Sequence, residues 1–176
     1  MDKSNLIAKG SYTSVFSNND KYVIIESQDK EKADFYEKIG LPVFNKREEK
    51  DKVIFTSLRL YHVKRDVIFE EDIVSYLQST LELMDINSFQ DFKKMKKSYF
   101  LSVMIENFGE TFDPKNIKVV VNKYFNAFKN SIIAMSEITD KYTINDVDIH
   151  YWQFMQLEAN DKIYCIDCFN LENEEW

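Results

Sequence analysis

The stretch Asp148-Ile149-His150-Tyr151-Trp152-Gln153-Phe154-Met155 is followed, a few residues on, by Ile163-Tyr164-Cys165-Ile166-Asp167-Cys168-Phe169. Residues 153–157 and 162–167 are short strand-like runs, and Ala159-Asn160-Asp161 between them is a turn signal, so this part of the chain reads as a closing hairpin. An acid, an amide five positions later and a second acid bracket that hairpin within 20 residues. The strand-like setting of Cys165 and Cys168 argues against a redox pair, which would open a helix where the dipole lowers a thiol pKa. A structural zinc site would need two more ligands, and the only histidines are His62 and His150. His150, inside the loop, reads as a structural histidine.

Upstream of the hairpin the pattern is helical. Asp113-Pro114 is an N-cap followed by proline at the first helical position. From there Ile117, Val120, Val121, Tyr124, Phe125, Phe128, Ile132 and Ile133 make the strongest helical stripe in the chain. Before it, Phe89, Phe92, Met95, Tyr99, Phe100 and Val103 form one stripe behind a Ser88/Asp91 capping pair. Ile73, Leu77, Leu81 and Met84 form another over 70–84. These stripes are core faces.

The first third of the chain is strand-rich. Residues 5–17 are rich in β-branched and aromatic side chains, Asn18-Asn19-Asp20 signals a turn, and 21–27 read as a second strand. Residues 30–39 are helical and stop at Gly40 before Pro42. Residues 52–61 are a further strand. The character changes near residue 66, which predicts an α+β fold in a single domain, 1–176: a sheet-rich part over 1–65, then a helical part over 66–176 with the closing hairpin.

Composition limits the function classes. Of the 176 residues, 44% are hydrophobic and 15% aromatic, with 3 Gly and 2 Pro, which supports a packed core and excludes low-complexity classes. A formal charge of −7, from 23 basic and 30 acidic residues, disfavours binding to duplex nucleic acid. An acidic nucleic-acid mimic acting as an inhibitor stays open as an alternative. No secretory leader or transmembrane run is visible, so a cytoplasmic protein without membrane attachment is expected. The tail Glu172–Trp176 reads as solvated. Oligomeric state leaves no sequence signature.

Taken in order, Ile7-Ala8-Lys9-Gly10-Ser11-Tyr12-Thr13-Ser14-Val15-Phe16, Tyr22-Val23-Ile24-Ile25-Glu26 and the two C-terminal segments resemble the protein-kinase-like fold, and most nearly the small divergent kinase-like proteins of tailed phages. The resemblance runs from about residue 5 to 171. It implies a minimal two-lobed architecture, with a small antiparallel sheet lobe and a truncated helical lobe, and a site for ATP and Mg²⁺. The hairpin around Gly10 and Ser11 would cover phosphates with backbone N–H groups. Asp148 matches the catalytic acid, and Gln153 and Asp167 match the metal-holding amide and acid.

The departures are concentrated in the chemistry. Ala8 and Thr13 stand where flanking glycines belong. Glu26 stands where the phosphate-binding lysine belongs, leaving Lys9 and Lys21 as the nearest substitutes, and Glu37 on the following helix loses its pairing role. Gln153 is a methylene longer than the usual asparagine, which octahedral Mg²⁺ tolerates poorly. No peptide-substrate platform is expected in the nine residues after Asp167. The resemblance and its departures imply a pseudokinase that acts by binding a host protein, to redirect or inhibit host machinery. The alternative is an active atypical phosphotransferase.

Overall fold

The computed structural model describes residues 5–86, 88–140, 142–158 and 160–169. The expected solvated tail at 172–176 and the Ala159 position of the hairpin turn lie outside them. The fold is α+β. The chain divides into two compact units, one formed by Met1–Tyr61 with Leu157–Ala159, the other by His62–Gln156 with Asn160–Trp176. The division thus falls at 61/62, beside the 65/66 change of character.

The first unit holds β1 (Leu6–Lys9), β2 (Thr13–Ser17), β3 (Tyr22–Ser27), α1 (Lys32–Lys38), β4 (Phe44–Glu48) and β5 (Val53–Leu58). The strands form one antiparallel sheet in the order β1-β2-β3-β5-β4. The run 5–17, continuous in composition, is two strands: Gly10 N–H donates to the Thr13 carbonyl at 2.8 Å and folds it back on itself. Strand alternation places Val23, Ile25 and Ser27 on the buried face of β3. Phe55 lies opposite Ile25 in register and touches Tyr36 edge-to-face at 5.2 Å, so α1 packs on that face. α1 ends where Gly40 takes a left-handed φ of 88° and Leu41 N–H reaches back to the Tyr36 carbonyl.

β4 has no counterpart in the sequence reading. Its residues Phe-Asn-Lys-Arg-Glu are all exposed, so no apolar alternation marks it. It is an edge strand guarded by charge: Lys46 meets Asp34 at 2.6 Å, and Arg47 meets Glu49 at 3.9 Å.

The second unit holds α2 (Glu70–Leu83), α3 (Phe89–Lys94), α4 (Lys97–Phe108) and α5 (Pro114–Ile138). β6 (Tyr61–His62), β7 (Phe154–Leu157) and β8 (Asn160–Cys165) make a three-stranded sheet in the order β6-β7-β8. α5 starts as its sequence dictates, with Asp113 accepting from Lys115 N–H at 2.8 Å and Pro114 in the first turn. Its buried stripe stacks Phe125 and Phe128 against Phe100 of α4, and Phe128 against Phe92 of α3. The single stripe expected over 89–103 is broken, because Met95 and Lys96 are extended. Met95 still buries its side chain, and its carbonyl accepts from Lys129 on α5 at 2.6 Å, so the break is satisfied by tertiary contacts. Among the described residues no helix is long and apolar enough to cross a membrane.

One buried carboxylate organises the start of α2. Glu70, 1% exposed, accepts from Asp66 N–H at 2.5 Å, Val67 N–H at 3.1 Å, Lys123 Nζ at 2.7 Å and the Tyr124 hydroxyl. Burial opposes its ionisation, yet the bonds from Lys123, Tyr124 and the two backbone N–H groups together hold its carboxyl below the usual range. Burial likewise weighs on the Lys123 ammonium, but Asp66 and Glu70 hold its pKa above the ordinary value.

Two predictions test these elements. Glu70→Ala leaves Lys123 with the exposed Asp66 as its single carboxylate partner and is expected to cost about 3 kcal/mol or more of unfolding free energy in urea titrations; a loss under about 1 kcal/mol, the surface-pair range, would show that the carboxylate organises nothing. In the first unit, burial pushes the Asp29 carboxyl up to about 6, against the pull of the Lys32 charge. A carboxyl whose pKa is raised by folding contributes least above that pKa, so its ionisation weakens the fold as pH rises from about 4 to 6. Asp29→Asn is therefore expected to melt higher than the parent at neutral pH and level with it near pH 4, by thermal unfolding monitored by circular dichroism. A gain that is equal at both pH values refutes this.

Candidate functional site

The loop between α5 and β7 is built from two 3-10 turns, Ile144–Asp146 and Tyr151–Gln153. The first is closed by Thr143, whose N–H and hydroxyl both donate to the Asp146 carboxylate, at 2.6 and 2.9 Å. The loop is then stitched to the chain beyond β8. Val147 bridges Phe169, Asp148 N–H donates to the Cys168 carbonyl at 3.0 Å, and Ile166 N–H donates to the Gln153 carbonyl at 2.9 Å. Asp148, Gln153 and the Asp167 segment are thereby brought together in the second unit. Ile149 is buried, and its N–H reaches Gln78 of α2 at 3.3 Å.

Within the loop the side chains are turned on one another. Asp148 Oδ1 sits 3.0 Å from His150 Nε2, and the His150 imidazole stacks on the Trp152 indole at 4.3 Å with 10° between planes. Gln153 is 9% exposed, and its Oε1 accepts from His150 N–H at 2.8 Å. Its amide therefore closes the 3-10 turn. Asp167 is exposed. Among the described residues no group of three or more His, Cys, Asp or Glu is arranged to hold a metal ion. The Gln153 amide oxygen thus serves the turn, and one oxygen of Asp148 faces His150.

The other sequence candidates belong to the first unit. Lys9 ends β1, Gly10 and Ser11 form the β1–β2 turn, and all three are exposed. Lys21 lies in the β2–β3 turn, its N–H donating to Asn19 Oδ1 at 2.9 Å and its Nζ lying over the Tyr22 ring. Glu26 points away from the α1 face of β3 and pairs with Lys52 at 2.9 Å; Lys52 also meets Glu49 at 3.3 Å. Glu37 is exposed on α1. The Glu26 carboxylate thus has a cationic partner of its own.

Two features were missed by sequence reasoning. Lys32, in the first turn of α1, is only 4% exposed, with Nζ over the Phe35 ring at 5.6 Å. A lysine between Glu31 and Ala33 carries no sequence mark of burial. The second is a groove of about 580 Å³ in the second unit, whose lining includes His62, Arg65, Asp72, His150, Tyr151 and Trp152. Its walls come from three separate segments, so only the fold assembles it. No protein-family model, curated protein or solved structure matches the chain.

Proposed function

We propose that this chain is a kinase-like protein that has given up phosphoryl transfer and acts by binding, with a protein of a phage-infected host cell as its partner. The order of elements supports the kinase-like reading: a hairpin turning at Gly10, a third strand, a helix, three further strands of which the last is very short, four helices ending in the long α5, a loop with an acid and an amide, a hairpin and a second acid. The observation that carries the loss of chemistry is the closed loop at 148–153. Gln153 Oε1 serves His150 N–H, and Asp148 serves the His150 ring, so neither carboxylate nor amide is presented in the way metal-held phosphates require. Glu26 compounds this, because a carboxylate in place of a lysine repels phosphate where it should attract it. Each altered group removes stabilisation on the order of 2–4 kcal/mol by analogy with oxyanion-type donors, and their joint loss leaves little turnover.

A second reading, retained phosphotransfer with a relocated lysine, is favoured by one observation, the burial of Lys32 beside Asp29. Thermal shift with ATP and Mg²⁺ or Mn²⁺, followed by a transfer assay, separates the two. The binding-protein reading expects no metal-dependent shift and identical behaviour of parent and Asp167→Ala. A shift together with transfer that Asp167→Ala abolishes would overturn it in favour of the second.

A further inference from the structure

The groove beside the loop is furnished for a particular kind of side chain. Trp152 is 63% exposed, an unusual display for the largest apolar side chain. One face of its indole is covered by the parallel His150 ring, and that ring is held in turn by Asp148, so the indole is pre-oriented with its remaining surface open. Beneath it Tyr151 is fixed by its hydroxyl donating to the Val63 carbonyl at 2.6 Å. The charges of the groove divide unequally. Arg65 is engaged, pairing with Glu71 and lying over the Tyr151 ring. Asp72 is exposed, and its carboxylate makes no hydrogen bond or ion pair among the described residues. The lining thus carries a fixed aromatic plate and one unspent negative charge, with its only arginine already committed.

We propose that this groove is a docking site for an arginine side chain in an extended basic segment of a partner protein. The guanidinium stacks on the open indole surface of Trp152 and takes the Asp72 carboxylate as its ion-pair partner. Arginine suits this better than lysine, because a planar, weakly hydrated cation stacks on an aromatic plate while donating in its own plane to a carboxylate. The formal charge of −7 on the chain adds long-range attraction for a basic segment. The inference stands on the groove alone and does not depend on the resemblance to kinases or on any loss of nucleotide binding.

The test uses the full chain and fluorescently labelled acetyl-Gly-Arg-Gly-Arg-Gly amide, with the lysine and aspartate analogues as comparators, read by anisotropy. The arginine peptide is expected to bind saturably and more tightly than the lysine peptide, and the aspartate peptide not at all. Asp72→Asn and Trp152→Ala are each expected to weaken binding about two- to fivefold, in the range of one exposed ion-pair or cation–π contact, and Trp152→Phe to recover part of the loss. Glu106→Gln, which removes an exposed charge on α4 outside the groove, is the control for general electrostatics. Circular dichroism verifies that each variant is folded. Absence of saturable binding, equal binding of the lysine peptide, or a loss in Glu106→Gln as large as that in Asp72→Asn overturns the proposal. These outcomes are read without ATP or metal, so they are separable from the fate of the kinase-like reading.

Discussion

The buried carboxylate of Glu70 is the constraint on which the second unit depends. It is the first residue of α2, where an anion is favoured by the unsatisfied N–H groups of the helix start. Its oxygens are shared between the backbone of the segment entering the helix and the side chains of Lys123 and Tyr124 on α5. Lys123 then reaches the Lys64 carbonyl and Asp66, so the same few atoms fix the path of residues 64–67. A buried ion pair is weak evidence for net stability, since desolvation offsets much of the attraction. What it supplies here is position: the chain enters α2 at a set angle relative to α5. The neighbouring Phe69 adopts a φ of 61°, a left-handed conformation that a bulky residue holds only when its surroundings impose it.

That constraint extends to the loop. Tyr124 carries the Glu70 bond at its hydroxyl and packs its ring against Phe154 at 4.7 Å and Tyr151 at 6.2 Å. Burial and the adjacent carboxylate drive its phenol far above the usual range, which suits its role as a neutral donor to Glu70. Tyr151 is tied to Val63, which lies on the segment leading to Glu70. The 3-10 turn carrying His150 and Trp152 is thus seated on the same cluster that starts α2. A rigid floor of this kind lowers the ordering cost of anything that docks on the loop.

Legibility in the sequence followed the kind of interaction that sets each element. The start and buried face of α5 were readable, because Asp113-Pro114 and a long apolar stripe are local signals. α2 and the closing hairpin were readable for similar reasons. β4 was not, because an exposed edge strand is held by pairing to β5 and needs no apolar side chains. The break at Met95-Lys96 was hidden, since the apolar spacing continues through it and only a contact from α5 ends the helix. In the loop, the acid–amide spacing was plain, but what Gln153 does with its amide was not: a glutamine at that position reads equally as a ligand or as a cap. Burial of Lys32 and assembly of the groove come from contacts distant in sequence.

The glutamine also shows how much less a local turn asks of a side chain than a metal would. A side-chain amide in the 3-10 turn satisfies a backbone N–H that the turn itself leaves over, and this local task needs only an acceptor within reach. Metal ligation asks more, because an octahedral ion fixes both distance and direction. One added methylene is absorbed by the first task, since the side chain folds back on its own turn, and is not absorbed by the second. The structural requirement at residue 153 is therefore looser than the one a metal ion would set. The Asp148–His150 contact is of the same local kind: the acid orients a ring, and the ring in turn orients Trp152. Asp148, His150 and Gln153 thus determine the shape of the loop that displays Trp152.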